Sequence, residues 1–377
     1  MIIEFHQPNL FIFGQGALSK ITDVLVRLNV NSPLVVSDDG VRKAGLTDLL
    51  LEKMPLQAEV FSGFSGEPTL QLATSVIEKV REGGFDSVIA IGGGSALDVG
   101  KIAALLATNE GQVADCFVSK RKFPPLPKIL IPTTAGSGSE MSSSAVLKFD
   151  DGLKHSITGE DVVADVAIVD SQLSRSCPNE VAASSGIDAL STGLEAYLSM
   201  LASPFSDMFA TAAVELCFRW LERAVTDKDP EALNGMSLAA SLSGVAASTP
   251  ADVNICHCIA ETLGPRYDIP HGKAVAAIMP YMVEFNLDAT RLRLRHLTRR
   301  LGMRDELSLA PRLKAIVKAV GLDICLKYMG VPREALETTA KIIFKSRQYE
   351  YMLPQINPFP ITLSSLNKLL EACWKGE

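Results

Sequence analysis

Histidine is scarce in this chain: only five occur in 377 residues, so any two that fall into one pattern carry weight. Long apolar runs are missing too. No stretch reaches the roughly eighteen residues that a membrane-spanning helix needs, which excludes a helical span. Positive charge is in deficit, with a formal net charge of −7, and this argues against a nucleic-acid surface. One local basic stretch, from Arg291 to Arg300, sets arginines and His296 between leucines and reads as a solvated helix face. Cysteines at 116, 177, 217, 256, 258, 325 and 373 are scattered and odd in number, so no disulfide framework is expected. Residues 1–6 lack both a basic start and an apolar core, so no targeting segment is read there and a reducing, cytoplasmic setting is expected. Neither internal repeats nor low-complexity segments stand out.

What remains is the composition of an ordinary soluble enzyme, 47% hydrophobic and 21% charged, in a length that suits two domains. In the first half, 33–37, 87–91 and 128–132 are short, almost unbroken apolar runs, as strands buried on both faces require. Amphipathic segments such as 70–82 lie between them, and this alternation predicts a parallel sheet with crossover helices. After about residue 180 the texture becomes helical: 184–200, 204–225, 230–247 and 254–263 are rich in Ala and Leu, and Pro204, Pro230, Pro250 and Gly264 fall between them. The expected fold is therefore an α/β domain with a parallel sheet over 1–178, followed by an all-helical domain over 179–377.

The expected strand at 87–91 runs directly into Gly92, Gly93 and Gly94. Three glycines there let the backbone approach a pyrophosphate, and the next helix opens with its N–H groups toward it. Ser95 would add a hydroxyl and cap that helix. Farther on, Asp188 and Thr192 lie four residues apart and share a helix face, as do His257 and Glu261. His271 follows a turn over 264–270, near the start of another helix. Asp188, His257 and His271 could thus converge from three segments.

Residues 257–271, with histidines fourteen positions apart, resemble the metal-binding signature of the iron-containing (group III) alcohol dehydrogenases. The loop at Gly92–Lys101 resembles the GGGSxxDxxK segment of the same superfamily, which also contains dehydroquinate synthase. Residues 132–140 resemble its PTTAGTGSE segment. The likeness runs from Phe13 to Pro358, nearly the whole chain. It implies a Rossmann-like domain that binds NAD through Gly92, Gly93, Gly94, Ser95, Asp98, Thr133, Thr134, Ser137 and Lys154. Asp38 matches the position whose carboxylate accepts the ribose hydroxyls, which favours NAD(H) over NADP(H). The likeness also implies a divalent metal, Fe2+ or Zn2+, on Asp188, His257 and His271.

The chain departs from the pattern at two positions. Thr192 stands where the family has a histidine ligand, and Glu261 replaces a second histidine. A threonine hydroxyl is a poor ligand, so three ligands remain, and both a metal-dependent and a metal-independent enzyme stay open; maleylacetate reductases of the same superfamily work without metal. Glu261, Lys154 and Lys273 are the catalytic candidates, with His155 beside Lys154 another. Glu261 reads as a general base, as a partner for an amine-bearing substrate, or as a helix-face carboxylate paired with Arg266 or Lys273. The implied activity interconverts a small alcohol and its aldehyde or ketone between the two domains, and the implied assembly is a homodimer. Lys273 and Arg266 hint at an anionic substrate. The alternatives are an NAD-using lyase or cyclase of the dehydroquinate synthase type and a catalytically silent nucleotide-binding homologue.

Overall fold

The computed structural model describes residues 4–109, 113 and 123–376. The chain forms two compact units, one over Phe5–Cys177 and a second beginning at Pro178.

In the first unit the strands are β1 (Leu10–Phe13), β2 (Pro33–Ser37), β3 (Glu59–Phe61), β4 (Ser87–Gly92), β5 (Lys128–Pro132), β6 (Ser144–Lys148), β7 (Lys154–Thr158) and β8 (Val166–Val169). Six of them make one parallel sheet in the order β1-β8-β5-β4-β2-β3. The remaining two, β6 and β7, form an antiparallel hairpin that the sequence reading did not single out.

The apolar runs alternate between two cores. Leu34, Val36, Val88, Ala90 and Leu130 face one side, against helices Leu70–Gly83 and Gly94–Ala107. Val35, Ile89, Ile91, Ile129 and Ile131 face the other, against helices Ile21–Arg27 and Leu46–Lys53. Helices on both faces leave no position for a polar residue, hence the unbroken Val and Ile. Burial of each such side chain contributes about 1.5–3 kcal/mol. The crossover helix between β3 and β4 is punctuated at both ends by sequence. Thr69 accepts a hydrogen bond from the Leu72 N–H at its start, and Gly84 takes the left-handed conformation at its end.

In the second unit every regular element among the described residues is helical. Helices Pro204–Thr226 and Pro230–Ala247 begin as expected, with proline in the first turn and Ser203 or Asp229 as the cap. Helix Ile255–Tyr267 corrects the expected stop at Gly264: it runs on through Pro265 and ends where Asp268 turns left-handed at φ 52°. Pro265 lies in the last turn, so little of the helical ladder is forfeited, while residues 255–264 are all buried and hold the helix together.

The basic stretch lies on helix His271–Arg300. Arg291 and Arg295 pair with Glu306, Arg293 with Asp207 and Arg300 with Glu215. These arginines are spent on intramolecular ion pairs. Among the described residues, no helix is long and apolar enough to cross a membrane.

Candidate metal and cofactor site

In the first unit, β4 ends at Gly92 and the following helix starts at Gly94, with Gly93 as its cap and no side-chain cap bond. Ser95 therefore lies inside the first turn instead of capping it. The glycines are required by close approach. A Cβ on Gly94 would lie 2.8 Å from Ser137 Oγ, and one on Gly92 would lie 2.6 Å from the Ala96 Cβ and 2.9 Å from Asp38 Oδ2. Asp38 thus sits against the glycine loop at the end of β2, where it also accepts a hydrogen bond from the Val41 N–H at 3.0 Å.

The loop after β5 packs beside the glycines: the Thr133 N–H donates to Gly92 O at 2.9 Å. Asp98 has a supporting place. Its two oxygens accept from Ser139 Oγ at 2.6 Å and the Val146 N–H at 3.1 Å, tying the second loop and the hairpin to the helix. Burial lowers the pKa of the neighbouring Lys101 to about 8, opposed by Asp98 and Glu140. Lys154, buried at the start of β7, pairs with Glu67 at 2.6 Å, and His155 pairs with Asp151 at 2.9 Å.

In the second unit, helix Asn179–Leu198 carries Asp188 within a stretch, Gly186–Leu198, that is buried throughout. His257 comes from helix Ile255–Tyr267 and His271 from the first residue of helix His271–Arg300. That first turn reaches Asp188 because Gly272 lies against the neighbouring helix. A Cβ there would come within 2.4 Å of Ser184 O.

Asp188 Oδ1 lies 3.2 Å from His257 Nε2 and 3.4 Å from His271 Nε2. The three candidate ligand atoms all fall within 4.8 Å of one another. Thr192 Oγ1 lies 3.5 Å from His257 Nε2, so its hydroxyl faces the same point. Two imidazole nitrogens and a carboxylate oxygen so placed fit a divalent ion with open positions.

Electrostatics follow this geometry. Burial alone would raise the Asp188 carboxyl, but the imidazoles of His271 and His257 hold it well below the usual carboxylate range. Burial likewise works against a charged His257, yet Glu195 and Asp188 raise its pKa well above the ordinary histidine value.

Glu195 is the residue that the sequence reading missed. Fully buried, it bonds His257 Nδ1 and so directs Nε2 toward Asp188. Its Oε1 also accepts from the N–H groups of Asn254, Cys256 and His257 at 2.9, 2.9 and 3.3 Å. One carboxylate therefore caps the helix and orients the ligand on it, as carboxylates behind metal-bound histidines do. A signal was available: Asp188, Thr192 and Glu195 stand at i, i+4 and i+7 on one helix face. His271 has no such support, since its buried Nδ1 lacks a hydrogen-bond partner.

Glu261 is buried on the His257 helix, and its partners are Tyr351 and Arg347, not Arg266 or Lys273. Lys273 pairs with Glu180, and Arg266 is exposed. Of the two cations that hinted at an anionic substrate, Lys273 is thus engaged by a carboxylate on the Asp188 helix.

Comparison with known proteins agrees with this architecture. Residues 8–171 match the family described as iron-containing alcohol dehydrogenase, and residues 182–374 match the C-terminal region of the Fe-containing alcohol dehydrogenase family. Long-chain-alcohol dehydrogenase 1 of Geobacillus thermodenitrificans (strain NG80-2) is 35% identical over 98% of this chain and 96% of its own length. Among solved structures, an alcohol dehydrogenase from Oenococcus oeni superposes with a TM-score of 0.92 at 27% identity, covering 99% of this chain and 100% of that one. A sulfoacetaldehyde reductase from Bifidobacterium kashiwanohense, solved in complex with NAD+, gives 0.90 at 28% identity with both chains fully covered. With both halves of the chain matched and a relative of this identity along nearly its whole length, the protein belongs to the iron-containing alcohol dehydrogenase family and is an oxidoreductase of that family.

Proposed function

We propose that the protein interconverts a small alcohol and its aldehyde or ketone with NAD(H), at a site built on Asp188, His257 and His271. The observation that carries this reading is the convergence of those three side chains from three helices within 4.8 Å. A divalent metal held by them would supply Lewis-acid polarisation of the substrate oxygen. NAD(H), whose complex with the sulfoacetaldehyde reductase supports its use here, would supply the hydride exchange. In this reading Gly92–Gly94 give the pyrophosphate close access to backbone N–H groups, and Asp38 accepts the ribose hydroxyls. Glu195 keeps His257 in one tautomer and orientation. Glu261, one turn along the same helix, handles the substrate proton.

The test is anaerobic, alcohol-dependent NADH formation across a panel of short neutral and charged alcohols. It is run with chelator and with added Fe(II) or Zn(II), and metal content is measured alongside. Turnover that falls with chelator and returns with metal is expected. Turnover indifferent to chelator would remove the metal from the reading, and NAD use without net NADH would favour a lyase.

A further inference from the structure

One helical turn from His257 the buried side chains of Glu261 and Arg347 meet the half-buried Tyr351, outside the Asp188–His257–His271 group. Glu261 shares the His257 face of its helix. The segment that packs against it, Ile343–Arg347, is a π-helical turn continued by Gln348–Glu350, and it delivers Arg347 and Tyr351. Such turns are rare and recur at functional positions.

The Tyr351 hydroxyl donates to Glu261 Oε2, and Arg347 Nη2 lies 3.8 Å from the same oxygen. The Arg347 guanidinium also lies over the Tyr351 ring, 5.2 Å from its centroid, while its Nη1 engages Glu350. Both contacts go to Oε2, so Oε1 has no protein donor among the described residues. Arg347 itself is fully buried, with Nε and Nη2 lacking hydrogen bonds. Burying a guanidinium is costly unless its charge is used, and here it faces two carboxylates, Glu350 through Nη1 and Glu261 Oε2 through Nη2. A phenol donor and a guanidinium on the same oxygen fix the orientation of the carboxylate. Tyr351 keeps its proton, because burial and the Glu261 charge push its hydroxyl well above the ordinary tyrosine value.

We propose that Tyr351 and Arg347 are positioning residues for Glu261, holding Oε2 and leaving Oε1 available for proton exchange with the substrate oxygen. This rests on the oxidoreductase reading above. In alcohol oxidation the C–H bond breaks with its electron pair leaving to the oxidised nicotinamide, and the O–H proton passes to Oε1 and on to water. Other titratable or charged groups around Glu261 are His257 and Cys258 on its own helix, Asp252 in the preceding loop, Glu195 on the Asp188 helix, and Glu350 beside Arg347.

Tyr351→Phe keeps the ring over Arg347 and removes only the hydroxyl. In the metal-loaded protein it is expected to move the acidic limb of the kcat–pH profile up by about one pH unit. The alcohol KM should stay within about twofold, and Glu261→Gln should abolish the limb. Arg347→Lys should shift the limb less than Arg347→Met. An unmoved limb in Tyr351→Phe, with only a lower Tm, overturns the proposal. A limb that survives Glu261→Gln also overturns it, while alcohol-dependent NADH formation would still stand for the oxidoreductase reading. Carboxyl-carbon NMR of glutamate-labelled protein, with Glu261 assigned through Glu261→Gln, gives the same answer without turnover. A higher Glu261 pKa in Tyr351→Phe supports the proposal, and an unchanged one overturns it.

Discussion

The glycine loop of the first unit and the Asp188–His257–His271 group of the second are built on opposite principles. At the loop the backbone does the work, and side chains are excluded: a Cβ at Gly92 or Gly94 would collide with Ala96, Asp38 or Ser137. At the histidine group the side chains do the work, and helices only deliver them. A backbone-built site tolerates exchange of its neighbours, such as serine for threonine in the loop at 132–140. A side-chain site changes character with one residue, as Thr192 and Glu261 illustrate. The comparison teaches where a single substitution has most effect: at a group built from side chains, not at a loop built from backbone.

The sharpest way to break the comparison is to remove one of three ligands. His271→Ala or Asp188→Asn should lower metal affinity by about 100-fold or more, the upper end of what even an outer-shell loss causes, while NAD affinity by fluorescence titration stays unchanged. Loss of NAD binding in these variants would contradict the separation of roles.

Next in size is Glu195→Gln. It should cost about 10–100-fold in metal affinity by releasing the His257 ring. The same change strips charge from a carboxylate that caps a helix, so a Tm loss is expected alongside it. An unaltered affinity would show that Glu195 serves the helix alone.

On the other side, Gly94→Ala should weaken NAD binding by about 5- to 150-fold, the equivalent of the 1–3 kcal/mol that forced overpacking costs. Metal binding should be untouched. Equal effects on both ligands would mean a folding defect instead of a blocked approach.

The smallest effect concerns stability. Burial raises the Asp252 carboxyl from 3.8 to about 6. Between those values the folded chain keeps a proton that the unfolded chain releases, so stability falls as pH rises through the window and stays lower above it. In chelator, Asp252→Asn should therefore raise stability by about 1–3 kcal/mol at neutral pH and by almost nothing near pH 4. Equal gains at both pH values would remove ionisation as the cause.

Legibility in the sequence followed the same divide. β2 and β5 begin and end at the residues where their apolar runs do, because burial on both faces leaves a one-dimensional signal. The hairpin of β6 and β7 was not read, since its strands are only partly buried and mix Ser, Lys and His with apolar residues. Ser95 and Gly264 misled for a common reason. Each is a residue type that usually marks a helix end, but close packing put the ends elsewhere, at Gly93 and Asp268. Asp188, His257 and His271 stood out by residue type and register. Glu195 did not, because its function depends on the start of a helix about sixty residues away. Tyr351 and Arg347 lie farther still along the chain, and no local pattern links them to Glu261.

The central claim is that three side chains, without a histidine at position 192, make one metal site. The most direct measurement is titration of chelator-stripped protein with Zn(II) or Co(II) against a chromophoric competitor, alongside His271→Ala. One metal per chain, strongly weakened in His271→Ala, is the predicted result. No binding above background, or binding that His271→Ala leaves unchanged, would contradict it.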